Sequence, residues 1–427
     1  MRVFITIFNY KLPKEMESKF LILLIIIIGA VAIAQLVRVY ELTAKLRKNE
    51  EHDIPNRDNY LNSKLMLLFM VVQFGGFIYL MLKYGWTGRG DAASIQGQST
   101  DWLLNLNFII IISVFFFTNF LLFFFAYKYV RKPGVKAYYL SHNNKLEMIW
   151  TVVPAAVLAV IIILGLKTWN DVTGPSPKDA IKVELYAKQF DWTARYAGGD
   201  NILGKSDYKL ILGNNELGIV TSETLDSSIL AIQNGAGGIA SIQKLLNNRD
   251  TVITDSLMSV MTTNLGNKER LLRLLYQMKS THAKSKDANA WDDIIQRDTL
   301  YLRNNTPYEF LIRSRDVLHS AFFLHFRAQM NAVPGYGTRL KFTPTITTDQ
   351  MRVKKNLPTF NYILMCNKIC GGAHYKMKMM VVVLSEAKYD AWMKSKATQN
   401  FKAKYFPVAT PTPTSSGATD TVVSTKM

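Results

Sequence analysis

Two cysteines, Cys366 and Cys370, stand four positions apart and are followed by His374 and Met377, so two thiols, an imidazole and a thioether fall within twelve residues. Thiolate, thioether and imidazole are soft or borderline donors that suit copper, and a long axial methionine marks copper sites that carry electrons. A single blue-copper ion takes one thiolate and two imidazoles, which leaves one thiolate over. Two thiolates can instead bridge two copper ions, each of which then needs a terminal nitrogen. His374 supplies one. The other is expected from a distant strand, where the run Arg313 to Ser320 places His319 at the end of an apolar stretch.

Other chemistries use the same residues. The chain has only these 2 cysteines, and a lone pair in an exported domain is most often a disulfide. Attached c-type haem is excluded, because C-x-x-C-H needs thiols three positions apart followed directly by histidine. A membrane-anchored copper chaperone of the thioredoxin type combines C-x-x-x-C with a distant histidine, but it requires strand and helix to alternate around the cysteines. Taken singly, His374 reads as a surface histidine and Met377 as a core filler. Their joint arrival on a loop with Gly371 and Gly372 favours a metal site. His325, six residues beyond His319, competes with it as a ligand, while His52, His142 and His282 lie in loop, membrane-flank or insertion segments.

The elements that position these groups fall into two halves. Within the first 170 residues, Phe20 to Val39, Leu65 to Leu82, Leu103 to Val130 and Ile149 to Leu166 are mostly apolar. Each reaches the roughly 18 to 20 residues that cross a bilayer. Trp102, Tyr127, Trp150 and Trp169 flank the last two spans, at headgroup level. Lys128, Arg131, Lys132, Lys136 and Lys145 cluster between spans three and four, whereas Gly85 to Asp101 carries only Arg89 against two acids. The basic loop is therefore expected in the cytoplasm and the second half of the chain outside. Lys19 before an apolar core and Ala32-Ile33-Ala34-Gln35 also fit a cleaved signal peptide, but three spans would put the second half on the side that the loop charges oppose. Glu147, just before the fourth span, is either a solvated flank or a carboxylate facing a helix interface. The formal charge of +19 is scattered rather than clustered, which argues against nucleic acid and fits a membrane with anionic headgroups.

In the second half, period-two alternation predicts strands at Ile181–Ala187, Tyr208–Leu212, Leu300–Arg303, Tyr308–Arg313, Arg339–Phe342, Asn361–Met365 and Met379–Leu384. Short strands with turns between them indicate an antiparallel sandwich or barrel. Between Asn214 and Ala290 the pattern is helical, with breaks at Gly235, Gly237 and Gly238, which predicts a helical insertion. The Thr-, Ser- and Pro-rich tail from Val408 is expected to be disordered.

The sequence resembles subunit II of haem-copper cytochrome c oxidases, the subunit that carries the dinuclear copper A centre. The family pattern C-x-E-x-C-x-x-x-H-x-x-M, preceded by D-V-x-H-S, is matched by Cys366–Met377 and Asp316–Ser320, and Leu146–Ala155 resembles the start of the family's second membrane helix. The likeness runs from about span three to Lys396, interrupted by the insertion. Together with the four apolar spans it gives an α+β membrane protein: four transmembrane helices over 1–170, then, as the resemblance implies, an extracytoplasmic cupredoxin-like Greek-key barrel over 171–213 and 291–396. The insertion occupies 214–290 and a C-terminal extension 397–427.

It further implies that Cys366 and Cys370 bridge two copper ions, that His319 and His374 are their terminal ligands, and that Met377 and the carbonyl of Lys368 are weak axial ligands. The family has glutamate where Lys368 stands, and that glutamate also reaches a magnesium ion shared with subunit I. A charged lysine cannot ligate magnesium, which puts that ion in question. Glu147 matches the entrance of a proton path. Lys188–Trp192 resembles the aromatic strand where electrons arrive, with Phe190 at the family's tryptophan position and Trp192 two residues on. The implied partners are subunits I and III of the oxidase and a c-type cytochrome donor, in a respiratory membrane of bacterial inner-membrane type. Spans one and two and the insertion depart from the family pattern and are expected to contact other respiratory-chain complexes.

Overall fold

The computed structural model describes residues 14–46, 55–85, 89–213, 215–248 and 253–406. The tail from Val408, and the part of the first loop that holds Arg47, Lys48 and His52, lie outside these residues. Among the described residues, four helices are long and apolar enough to cross a membrane: Leu23–Thr43 within α1 (Lys14–Leu46), Asn56–Gly85, Ile95–Lys128 and Asn144–Thr173. The second consists of α2 (Asn56–Leu80) and a π turn at Met81–Gly85; the third and fourth are α3 and α4. They outrun the expected spans by several residues because their polar ends continue the helix past the apolar stretch.

The chain divides into two compact units, 1–87 with 110–143, and 88–109 with 144–427. In the first, α2 meets α3 through phenylalanines: Phe74 packs edge-on against Phe116 with ring centres 4.6 Å apart, and Phe77 lies 5.1 Å from Phe115. Hydrocarbon provides no hydrophobic drive for helix association, so such contacts act through dispersion and close fit.

The second unit is built on a sandwich of two five-stranded sheets. One has the order β3 (Ile294–Arg297), β2 (Asp191–Tyr196), β1 (Ile181–Lys188), β5 (Tyr308–Ser314), β8 (Thr338–Phe342). The other runs β4 (Thr299–Arg303), β10 (Lys378–Leu384), β9 (Tyr362–Cys366), β6 (His319–Phe323), β7 (Ala328–Ala332). Alternate residues point inward, as in β5, where Tyr308, Phe310 and Ile312 are buried. They meet Phe323, Phe342, Leu364 and Val381 from other strands in one core. This is a cupredoxin-like sandwich, and it is not wholly antiparallel, since β1 runs parallel to β5 and β4 to β10. The expected strand at Tyr208–Leu212 is a correction. Tyr208–Leu210 forms a 3-10 turn because the Asp207 side chain accepts the backbone N–H of Lys209, leaving Leu210 to fill the core beneath the insertion.

The segment 214–290 carries α5 (Ser222–Asn234), α6 (Ile239–Leu246) and α7 (Asp255–Thr281). Leu225, Ile229, Ile232 and Leu275 form its own small core. It meets the sandwich through an apolar cluster, where Tyr186 of β1 joins Leu217, Ile219 and Ala290, and through buried charges. Glu184 on β1, wholly buried, holds both Arg195 of β2 and Arg313 of β5, and Arg195 reaches Asp293 at 2.8 Å. These guanidiniums also donate to the carbonyls of Gly204 and Leu217 and to Ser206 Oγ, so the loops leading into the insertion close over the charged groups. Past the last strand, α10 (Glu386–Ala397) and α11 (Phe401–Tyr405) follow, and Phe401 is buried against Tyr186 and Trp291. The start of α3 is tied to the sandwich by Arg327, whose guanidinium donates to Asp101 at 3.0 Å and to the carbonyls of Arg89 and Gly90.

Candidate metal centre

Cys366 ends β9, and the alternation that turns Tyr362 and Leu364 into the core turns its sulfur inward as well. The β6–β9 ladder pairs Ala321 with Cys366, so His319, two residues earlier on the same face of β6, lies diagonally across from the thiol. His319 is completely buried, with Nδ1 3.9 Å from Cys366 Sγ. Met377 comes one residue before β10; its carbonyl accepts the N–H of Cys366 at 3.1 Å, and its parity matches the inward Met379. Between them the loop folds back through a 3-10 turn at His374–Lys376. Cys370 Sγ then lies 4.0 Å from Cys366 Sγ, 3.4 Å from His374 Nδ1 and 3.8 Å from Met377 Sδ. The structure thus brings together His319, Cys366, Cys370, His374 and Met377 from two strands and one loop. The carbonyl of Lys368 joins them 3.1 Å from Cys366 Sγ, while its side chain is exposed.

Gly371 has φ +139°, and a Cβ there would come within 2.9 Å of Gln189 Nε2 and 3.0 Å of the Phe190 ring, so only glycine lets the loop lie this close. Burial, then the neighbouring Cys366, pushes the Cys370 thiol up to about 11. Two thiolates this close repel each other, and a cation between them would offset that repulsion. Sulfur, imidazole and thioether donors converging on one buried point fit copper. Burial works against a charge on Asp316, but the N–H groups of Gln189 and Val317 and the ring of His319 outweigh it and hold its carboxyl below the usual range. Asp316 Oδ1 lies 2.8 Å from His319 Nε2, which orients the ring so that Nδ1 faces the sulfurs.

The thioredoxin alternative does not stand, since strands β9 and β10 flank the cysteines. The sulfurs are unlinked and about twice a disulfide bond apart. His325 is no rival to His319: it packs edge-on against Phe360 and Tyr362, 5.2 and 5.4 Å away, and lies outside the His319, Cys366, Cys370 cluster.

The family description "Cytochrome C oxidase subunit II, transmembrane domain" matches residues 83–168, which contain α3 and most of α4. Over these residues the chain is similar to the cytochrome c oxidase subunit II family. It is 26% identical over 336 residues to "Alternative cytochrome c oxidase subunit 2" of Bradyrhizobium diazoefficiens, covering 78% of this chain and 91% of that one. It is 21% identical over 329 residues to "Cytochrome c oxidase subunit 2" of Cereibacter sphaeroides, covering 77% and 86%. Among solved structures, the periplasmic domain of subunit II of cytochrome oxidase of Bradyrhizobium japonicum aligns with 53% of this chain and 99% of its own, at 12% identity and a TM-score of 0.26.

Other residues that cytochrome c oxidase subunit II suggests are placed as follows. Trp192 is fully buried, with its ring centre 6.4 Å from that of His319. It is therefore not at the surface, whereas Phe190 is partly exposed and packs on the ligand loop at Gly371. Glu147 lies in the first turn of α4 and is partly covered. Sequence reasoning assigned no role to Gln189, which has no chemistry of its own to flag it; only the folded chain shows its contacts.

Proposed function

We propose that the chain accepts single electrons from a c-type cytochrome at a dinuclear copper A centre and passes them to subunit I of the oxidase, where oxygen is reduced to water with proton pumping. The observation that carries this reading is the convergence of His319, Cys366 and Cys370, with His319 and Cys366 47 positions apart, on one buried point whose ligand atoms lie within 4.8 Å of one another. Cys366 and Cys370 would hold the two ions through their thiolates, His319 and His374 through ring nitrogens, and Met377 and the Lys368 carbonyl would be weaker ligands. A copper pair held by these residues would supply single-electron transfer, which a rigid donor set keeps fast by limiting rearrangement of the ligands. The chain's own part is rigidity: β6, β9 and β10 fix three donors through ladder hydrogen bonds, and Asp316 fixes the His319 ring.

Phe190 is the aromatic that a donor can touch, with buried Trp192 behind it beside His319. Glu147 would lead protons toward subunit I. The basic stretch Arg131, Lys132 and Lys136 supports a cytoplasmic loop between α3 and α4, and so a sandwich on the extracytoplasmic face of a respiratory membrane, of bacterial inner-membrane type. Subunits I and III are the membrane partners, and α1, α2 and the insertion would contact further respiratory-chain complexes. No magnesium ligand is assigned, because an exposed lysine ammonium offers no lone pair to a cation.

The test is an electron paramagnetic resonance spectrum of the oxidised, copper-loaded full chain. A mixed-valence signal from two coupled coppers is expected. One isolated copper, or none, rejects the reading.

A further inference from the structure

Gln189, in the turn between β1 and β2, touches both halves of the donor set. Its backbone N–H donates to Asp316 Oδ2 at 2.7 Å, and the other oxygen of that carboxylate holds His319 Nε2. Its side-chain amide donates to the carbonyl of Cys370 at 2.5 Å. The contacts close a ring: Gln189 to Asp316, Asp316 to His319, His319 to Cys366, and from Cys366 along the loop to Cys370 and back to Gln189. Three separate segments of chain meet in it, and the ladder hydrogen bonds of β6 and β9 hold only the His319 and Cys366 side.

The Cys370 side is the one that needs holding. Cys370 is followed by two glycines, the backbone type with the most freedom to lose, and Gly371 sits at φ +139°. Cys370 is also close to both His374 and Met377, so displacement of its backbone would disturb several donor contacts at once. We propose that Gln189 is a positioning residue of the copper centre, its amide clamping the Cys370 carbonyl while its backbone clamps the carboxylate that orients His319. This rests on the copper reading above. A neutral amide fits this position because it donates a hydrogen bond without adding charge beside the two thiolates.

The clamp is tested on the copper-loaded full chain with Gln189→Glu and Gln189→Met. The first keeps the size but turns an acceptor toward the Cys370 carbonyl; the second keeps the length and cannot donate. Both retain the backbone N–H to Asp316, and Gln189 is solvent-exposed, so both should fold, which circular dichroism of the copper-free chains checks. Copper held against a competing chelator should weaken about tenfold or more, as for other groups that hold metal ligands in place. The copper hyperfine splitting should change with it, a readout that a purely structural role would leave alone. Native affinity and native hyperfine splitting in both variants would overturn the clamp and leave the copper reading intact. A native chain without the two-copper signal would overturn the copper reading, and the clamp with it.

Discussion

Ala321 on β6 stands directly opposite Cys366 on β9, and this pairing is what brings His319 to the sulfur. Because side chains alternate across a strand, a register slip of one residue would send the imidazole out of the core. His319→Ala is expected to abolish the coupled two-copper signal while both thiols remain titratable in the denatured chain. Lys368→Ala should leave the signal in place, since only the backbone carbonyl of that residue faces Cys366. Met377→Leu should keep both coppers but alter the spectrum, because under the proposed function the thioether would be a weaker ligand than the two thiolates. Loss of copper in Lys368→Ala would mean that the side chain, not the carbonyl, takes part.

Glu184 is wholly buried and pairs with both Arg195 and Arg313. Glu184→Gln would leave two guanidiniums under the insertion with only Asp293 for company. Removing one partner of a buried ion pair typically costs about 3–5 kcal/mol. The melting temperature of the copper-free chain is expected to drop accordingly, with the loops at Gly204 and Leu217 the first to become susceptible to protease. A loss below about 1 kcal/mol would mean that water already reaches these charges.

Two buried groups give the stability opposite pH slopes. Burial, against the pull of Arg195, pushes Asp293 up to about 7. It therefore keeps its proton in the fold where the unfolded carboxyl has lost it, and its contribution is full below about 4 and lost as pH rises through 7. Burial, then Lys355 and Arg327, pulls His325 down to about 4. Its contribution is full above about 6.5 and lost as pH falls toward 4. Between about pH 4 and 6.5 each amounts to about one proton, and they offset. Melting curves should show stability rising with pH in Asp293→Asn and falling with pH in His325→Phe. Identical slopes in both variants would show that neither group titrates in this range.

Arg327 holds a left-handed backbone, φ +53°, at the end of a 3-10 turn, and its guanidinium binds Asp101 and two carbonyls near the start of α3. Arg327→Lys can make only part of this set, since an ammonium cannot fork. A loss of about 2 kcal/mol, the scale of hydrogen bonds to a charged group, should accompany faster proteolysis near Gly90. An unchanged cleavage pattern would show that the sandwich stays on α3 without it.

The sequence determined the chemistry by itself. Which atoms can bind copper is a property of residue types, and three of the main donors arrive on one short loop, so Cys370, His374 and Met377 needed no fold to be found. The four apolar helices were legible for the same local reason, as was the helical segment after Asn214, because hydropathy and period are read from neighbours along the chain. Only the tertiary structure decided the rest. His319 rather than His325 lies beside the sulfurs because the register of β6 against β9 turns one toward Cys366, while the other packs on Phe360 and Tyr362. Trp192 proved buried, Tyr208–Leu212 a turn, and Gln189 a neighbour of the donors, since each depends on contacts between segments far apart in sequence. The pairing of Glu184 with Arg195 and Arg313 has no signal in the sequence, because burial is a property of what covers a residue and not of the residue itself.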